Sequence, residues 1–146
     1  MSWPLEKSKD HARRVLIVED HALVAKFYRM ALERAGDFTC LVTEDVPQML
    51  EEVRAGRVQV AVLDVSLANA YWQGRPLDGV QLAQMLKEAA AQAGLSLPIL
   101  LATAHAMSGD RERLLAASGA DDYLEKPVYD AQYLVDKIQR LLSAPK

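Results

Sequence analysis

Short runs of consecutive apolar residues alternate along the chain with segments in which apolar residues recur every three or four positions. Consecutive apolar residues such as Val15 to Val18 are typical of strands that are covered on both faces, and the wider spacing predicts amphipathic helices. Five strands are predicted, at residues 15–18, 38–43, 57–64, 97–103 and 120–127. Each precedes a predicted helix, at about residues 21–36, 46–56, 79–93, 108–119 and 134–142.

Residues that favour helix ends punctuate this pattern. Pro47 stands in the first turn of the second predicted helix, and Gly56 stands just past its end. Asp78, with Gln81 three residues later, resembles a capping box at the start of the third helix. Gly36 is predicted to stop the first helix.

Five strand–helix units in succession predict an α/β fold. The sheet is expected to be doubly wound, five-stranded and parallel, with helices on both faces and strand order 2-1-3-4-5. Hydrophobic residues make up 51% of the 146 positions, which suits one globular domain at residues 14–143. We expect a loosely ordered leader at residues 1–13 and a short tail at residues 144–146.

Charge and cysteine content exclude several classes of protein. The formal net charge of −3 argues against a main role in nucleic-acid binding, because binding to the phosphate backbone needs a basic face. The single cysteine, Cys40, cannot form an internal disulfide and is interpreted as a buried core thiol in a reducing compartment. The charged N-terminus lacks the apolar stretch of a signal peptide, and no segment is long enough to span a membrane. We therefore expect a cytoplasmic protein without nucleic-acid or membrane partners.

Polar residues follow four of the predicted strands at the point where each strand ends. Because the strands of a parallel sheet end at the same edge, these side chains are expected to meet there. They are Glu19 and Asp20 after the first strand, Asp64 after the third, Thr103 after the fourth and Lys126 after the fifth. Three carboxylates in one crevice repel one another, and a hard cation with oxygen ligands such as Mg²⁺ resolves the repulsion. The sequence therefore predicts a metal site.

Asp64 is the candidate for covalent chemistry at this site. A carboxylate can attack phosphorus to give an aspartyl phosphate, while a cation and a lysine offset the charge of the transferred group. Asp64 stands alone at the tip of the central strand, whereas Glu19 and Asp20 can share the metal. Thr103 is placed to donate a hydrogen bond to a phosphoryl oxygen, and Lys126 is placed to pair with it as a point charge.

The segments LIVED, VAVLD, LLATA and YLEKP, in this order and spacing, resemble the receiver domain of two-component response regulators. The resemblance covers residues 14–143 and implies a flavodoxin-like (βα)5 fold. It implies Mg²⁺-dependent transfer of a phosphoryl group from a histidine kinase or a histidine phosphotransfer protein onto Asp64. It further implies a signalling module of a phosphorelay rather than an enzyme, with a downstream protein target or output domain as its second partner.

The resemblance also assigns roles to single residues. It implies metal ligation by Asp20, by Asp64, by the backbone carbonyl of Ser66 and, mostly through water, by Glu19. Thr103 and Tyr123 match the switch pair of the family, in which phosphorylation draws the hydroxyl inward and the aromatic ring fills the vacated space. The Lys126 to Pro127 peptide bond matches one that is usually cis in the family.

Residues 68–78 depart from the family pattern. Asp64 and Gly79 are fifteen positions apart, roughly twice the usual family spacing, so that an insertion lies beside the candidate phosphoacceptor. Tyr71 and Trp72 within it are interpreted either as part of a partner-binding surface or lid, or as side chains that pack on the protein's own surface. His105 stands where family members tune hydrolysis of the acyl phosphate.

Other functions fit the sequence less well. A phosphatase of the haloacid-dehalogenase type needs a second acid where Ser66 stands, and a flavin-binding module needs a glycine-rich phosphate loop where the chain has EDHAL. A constitutive receiver-like interaction module that is never phosphorylated stays open as the alternative function. The chain is either a single-domain regulator or the excised receiver of a longer protein, and any homodimer is expected to form through the fourth and fifth helices.

Overall fold

The computed structural model describes residues 13–104 and 110–143. Most of the expected leader, the expected tail at residues 144–146 and His105 lie outside the described residues, as does the predicted start of the fourth helix at Ser108.

Five parallel strands form the central sheet. The bounds are β1 Arg14–Val18, β2 Thr39–Val42, β3 Val60–Asp64, β6 Ile99–Thr103 and β7 Asp122–Glu125. Their spatial order is β2-β1-β3-β6-β7, so the predicted order 2-1-3-4-5 is confirmed once a small separate hairpin is set aside. In the parallel register Asp64 pairs with Ala102 and Thr103 pairs with Glu125, which aligns the carboxyl ends of the three strands.

Five helices cover the two faces of the sheet. The bounds are α1 Ala22–Arg34, α2 Val46–Arg54, α3 Gly79–Gln92, α4 Asp110–Ser118 and α5 Ala131–Ser143. Alternate residues of the strands point to opposite faces, so that Leu16 belongs to a core under α2 and α3 while Ile17 belongs to a core under α1 and α5. α4 packs against α3. This is the doubly wound arrangement expected from the sequence.

The helix ends follow the predicted chemistry, with one exception. The capping box at Asp78 and Gln81 is confirmed, because each side chain accepts a hydrogen bond from the backbone N–H of the other residue. Gly36 was expected to stop α1, but the helix ends at Arg34. The residue that adopts the left-handed backbone conformation after the helix is Asp37, with φ of 61°. Gly36 serves another purpose, since a Cβ there would lie 2.7 Å from the ring of buried Phe38.

The insertion forms a β-hairpin, where the sequence had indicated only a long connection. β4 (Tyr71–Trp72) pairs antiparallel with β5 (Arg75–Pro76). Gln73 and Gly74 between them have φ of 53° and 79°, as a two-residue type I′ turn requires. The Leu77 N–H donates to the Ala70 carbonyl at 2.8 Å and closes the base of the hairpin.

Two further expectations can be compared with the structure. Cys40 is only partly buried at the edge of the core under α1 and α5, and burial together with the charge of Glu33 raises its thiol pKa to about 12. Within residues 13–104 and 110–143, no helix has the length and apolar character needed to cross a membrane.

Candidate functional site

Three of the predicted residues form an ion cluster at the carboxyl edge of the sheet. The Lys126 ammonium lies 2.9 Å from Glu19 Oε1 and 3.3 Å from Asp64 Oδ2. The side chains of Glu19, Asp64 and Lys126 are only 1%, 7% and 15% exposed. We call these three residues the ion triple. It joins side chains at the carboxyl ends of β1, β3 and β7.

The surroundings of Asp64 shift its protonation equilibrium. Burial raises the pKa of the Asp64 carboxyl, and the negative charge of Glu19 raises it further, against the opposing effects of Lys126 and of the Ser66 N–H. That N–H donates to Asp64 Oδ1 at 3.2 Å. Burial by itself lowers the pKa of Lys126, but its hydrogen bond with Glu19 and the charges of both acids outweigh burial and raise the pKa. Lys126 therefore stays positively charged beside the buried acids.

The backbone around Asp64 is fixed by a close approach of the third helix. Gly79, the first residue of α3, donates its N–H to the Val65 carbonyl at 2.8 Å. A Cβ on Gly79 would lie 2.1 Å from the Asp64 carbonyl oxygen, far inside van der Waals contact. Only glycine fits there, so the insertion leaves and returns without displacing the end of β3.

Asp20 lies apart from the ion triple and contacts the insertion instead. Its Oδ2 accepts a hydrogen bond from the Ala68 N–H, while its Oδ1 is buried with no partner among the described residues. Glu19 Oε2 accepts from the His21 N–H at 3.2 Å. In the described part of the chain, no three His, Cys, Asp or Glu side chains converge at metal-binding distance. The predicted meeting of all three carboxylates is therefore looser than expected, because Asp20 faces residue 68.

The donors present nevertheless fit Mg²⁺. Magnesium in proteins takes one or two carboxylates and keeps several waters, so it does not need three converging acids. Asp20 Oδ1 is a buried carboxylate oxygen without a hydrogen bond to any described residue. Asp64 is the last residue of β3, which pairs with β1 in the sheet. The available ligand atoms are all oxygens, which are the donors that hard cations prefer.

A fourth acid at this edge was missed by the sequence analysis. Glu44 follows β2, and it lines one cavity together with Asp20. Burial and the contact with Asp20 raise the pKa of Glu44. The signal was present, because Glu44 is an acid just beyond the second apolar strand, as Asp64 is at the end of the third.

The two predicted switch residues lie on neighbouring strands. Thr103 is buried at the end of β6, and Tyr123 is half-buried in β7. The Tyr123 hydroxyl accepts a hydrogen bond from Arg111 of α4, whose guanidinium carbon lies 4.8 Å from the ring centroid. Lys137 Nζ of α5 lies 5.2 Å from the same centroid. Two cations therefore hold the aromatic ring in its observed position.

The remaining candidate residues differ in their exposure to solvent. Ser66 is exposed two residues after Asp64. Tyr71 is 54% exposed on the hairpin, whereas Trp72 is partly buried and packs against the core under α2 and α3. The Lys126–Pro127 peptide bond is cis, as the resemblance implied.

Comparisons with known proteins agree with this architecture. The response regulator receiver domain family matches residues 15–139. Transcriptional regulatory protein CseB of Streptomyces coelicolor is 36% identical over 128 residues, which is 88% of this chain and 48% of that protein. Hybrid signal transduction histidine kinase I of Dictyostelium discoideum is 32% identical over 116 residues, which is 80% of this chain and 6% of that protein.

A solved structure extends the comparison to the fold. The CheY-like response regulator receiver domain protein of Methanospirillum hungatei superposes with a TM-score of 0.67 at 22% identity. The match covers 89% of this chain and 93% of that one. At this level of identity the likeness concerns the fold alone, which is the flavodoxin-like fold predicted from the sequence.

The fold and the acidic edge thus define a signalling module of two-component and phosphorelay systems. The chain belongs to the response regulator receiver domain family, whose general role is phosphorylation-dependent signalling rather than the work of a conventional enzyme. Receiver domains of this family generally bind Mg²⁺. The chain spans about half or less of the length of the curated relatives described above.

Proposed function

We propose that the protein accepts a phosphoryl group on Asp64 from a histidine kinase or a histidine phosphotransfer protein and thereby changes a partner-binding surface. The observation that carries the proposal is the ion triple, in which Lys126 bonds to both Asp64 and Glu19 at the carboxyl edge of the sheet. A buried carboxylate beside a fixed ammonium matches what an anionic phosphoryl group needs in order to bind and react.

The transfer exchanges one bond for another. An oxygen of Asp64 attacks phosphorus, and the new O–P bond forms while the bond from phosphorus to the donor's histidine nitrogen breaks. Lys126 offsets the negative charge that gathers on the phosphoryl oxygens, and the Ser66 N–H keeps the other carboxylate oxygen oriented. Mg²⁺, when bound, supplies further positive charge to those oxygens.

Asp20 and Asp64 are the proposed direct ligands of that ion, together with the Ser66 backbone carbonyl, and Glu19 is proposed to act mostly through water. Asp20 Oδ1, which has no partner within residues 13–104 and 110–143, supports this assignment, because a buried oxygen without a hydrogen bond is costly unless something positive binds it.

The proposed switch connects the site to the surface of α4, β7 and α5. A phosphoryl group on Asp64 gives the Thr103 hydroxyl a new acceptor, and its movement leaves space that Tyr123 can fill. Tyr123 must then give up its contacts with Arg111 and Lys137. The phosphoryl group therefore has to supply a differential free energy of a few kcal/mol, roughly what a shift between two populated states needs.

The first experiment is intact-mass analysis after incubation with acetyl phosphate and Mg²⁺. We expect one added phosphoryl group on the parent protein and on a matched control, Asp136→Asn, which removes an exposed acid of α5. We expect no adduct on Asp64→Asn or when the metal is chelated.

An adduct that persists in Asp64→Asn would refute the assignment of the phosphoacceptor. If the parent forms no adduct and also fails to bind beryllofluoride, the protein is instead a constitutive receiver-like interaction module.

A further inference from the structure

Glu44 is brought to the candidate cation site by the order of the sheet. β2 lies next to β1, so the residues that follow these strands, Glu44 and Asp20, come together at the carboxyl edge. Burial raises the pKa of the Glu44 carboxyl, and the nearby carboxyl of Asp20 raises it further. The order of the strands thus places Glu44 beside Asp20.

Both acids keep an oxygen that nothing in the described protein satisfies. Asp20 Oδ1 and Glu44 Oε2 are buried atoms without a hydrogen-bond partner among the described residues. The two residues line the same cavity of about 480 Å³ between α1 and the end of β2, which is large enough for a hydrated ion. Unsatisfied buried oxygens are rare in folded proteins, and two in one cavity indicate that something positive binds there.

The same geometry limits the way in which Glu44 can act. No three acidic or other metal-binding side chains converge within the described residues, so Glu44 does not complete a shell of direct ligands. Magnesium keeps several of its waters in protein sites, and those waters donate hydrogen bonds to nearby carboxylates. We propose that Glu44 strengthens divalent-cation binding at Asp20 by accepting hydrogen bonds from metal-bound water.

Two basic residues bear on this role. Lys26 and Arg29 of α1 line the same cavity and add positive charge to it. Neither forms an ion pair with Glu44 within the described part of the chain, so the carboxylate is not neutralised by a direct partner. The negative charge of Glu44 thus offsets the positive charges of Lys26 and Arg29, which would otherwise repel a cation from the cavity.

The inference rests on the proposed function, because it concerns the cation that phosphorylation of Asp64 requires. It is tested by Mg²⁺ titration at constant ionic strength, followed by the backbone amide NMR shifts of Ala68 and Asn69. We expect Glu44→Gln to weaken Mg²⁺ binding by about tenfold, as is usual when a group that bonds to metal-bound water is lost.

The matched control is Glu33→Gln, which removes the same charge from an exposed position. Glu33 lies near the far end of α1, about 17 Å along the helix axis from its first residue. We expect this control to bind Mg²⁺ within about twofold of the parent, since exposed charges beyond a Debye length are screened. Glu44→Asp, which keeps the charge on a shorter side chain, is expected to fall between the parent and Glu44→Gln.

The outcomes separate the two proposals. Equal Mg²⁺ affinity for Glu44→Gln and Glu33→Gln, with a parent that binds Mg²⁺ and is phosphorylated, overturns the role of Glu44 alone. A parent that binds no Mg²⁺ overturns the role of Glu44 and the proposed function together. If circular dichroism shows that Glu44→Gln does not fold, the Mg²⁺ affinity of Glu44→Asp is compared with that of the parent. Equal affinities for these two proteins would refute the role of Glu44.

Discussion

Gly79 shows how a single residue fixes the candidate phosphoacceptor. It begins α3 and lies against the backbone of Asp64 and Val65, with no room for a side chain. Any larger residue would have to push the end of β3 or the start of α3 away. The position of Asp64 in the ion triple therefore depends on a residue that has no chemistry of its own.

We expect Gly79→Ala to lower the free energy of unfolding by about 3 kcal/mol, as overpacking of a rigid backbone contact does. Chemical denaturation followed by circular dichroism measures the change. The matched control is Gly74→Ala in the hairpin turn, where φ is 79° but no atom of the described residues lies within 4 Å of a Cβ. This variant should lower the free energy of unfolding by about 1 kcal/mol, through backbone strain alone. Equal costs for the two variants would show that the contact with Asp64 is unimportant.

The positions of single site residues could be predicted only in part from the sequence. Glu19, Asp64 and Lys126 were predicted to meet because each follows a buried run, and the structure places them within hydrogen-bond distance. Asp20 was expected to join them, but a backbone N–H of the insertion attracts its carboxylate. No sequence pattern indicates where a loop will place a single N–H. Glu44 was missed because the acid that follows β2 was not considered as a candidate site residue.

At the scale of elements, the hairpin β4–β5 is the part that the sequence did not predict. Its strands have two residues each, too few for an alternating apolar pattern to appear. The signal that remained was the Gln73–Gly74 pair, whose glycine permits a two-residue turn. The longer strands and helices were predicted because their apolar patterns extend over whole elements.

The two aromatic residues of the hairpin are expected to differ in their effect on stability. Trp72→Ala should lower the free energy of unfolding by about 1–3 kcal/mol, because the indole packs against the core under α2 and α3. Tyr71→Ala should change it by less than about 0.5 kcal/mol, because the ring is largely in solvent. Thermal or urea unfolding of both variants checks this. A large loss in Tyr71→Ala would mean that the exposed ring is part of the fold.

The same pair bears on the partner hypothesis of the sequence analysis. Trp72 packs on the protein's own core, whereas Tyr71 is free to contact another molecule. If the hairpin belongs to a partner surface, Tyr71→Ala should reduce binding to that partner while phosphorylation by acetyl phosphate is unchanged.

For the whole molecule, any homodimer is expected to form through the surface of α4 and α5. Tyr133 on α5 is 47% exposed near Lys137, which also contacts the Tyr123 ring. A change at Tyr123 therefore reaches this surface directly. The two outer strands, β2 and β7, have only four residues each, and short edge strands are a poor template for joining sheets of separate molecules.

We expect beryllofluoride with Mg²⁺ to shift the protein from monomer to dimer in analytical ultracentrifugation. Tyr133→Glu should abolish the shift by placing an unpaired charge in the interface. Tyr71→Glu, on the hairpin beside α2, should leave the shift intact and serves as the matched control. A monomer with and without beryllofluoride, when the ligand is known to bind, would contradict the assignment of this interface.

The hairpin also has a practical consequence. Its base is closed by its own backbone hydrogen bonds, and Gly79 returns the chain to the same place beside Asp64 whatever the turn contains. The Gln73–Gly74 turn therefore offers an attachment point for a fluorescent label or an inserted peptide. Because Ala68 of the same segment donates a hydrogen bond to Asp20, such a label would convert occupancy of the acidic edge into an optical signal.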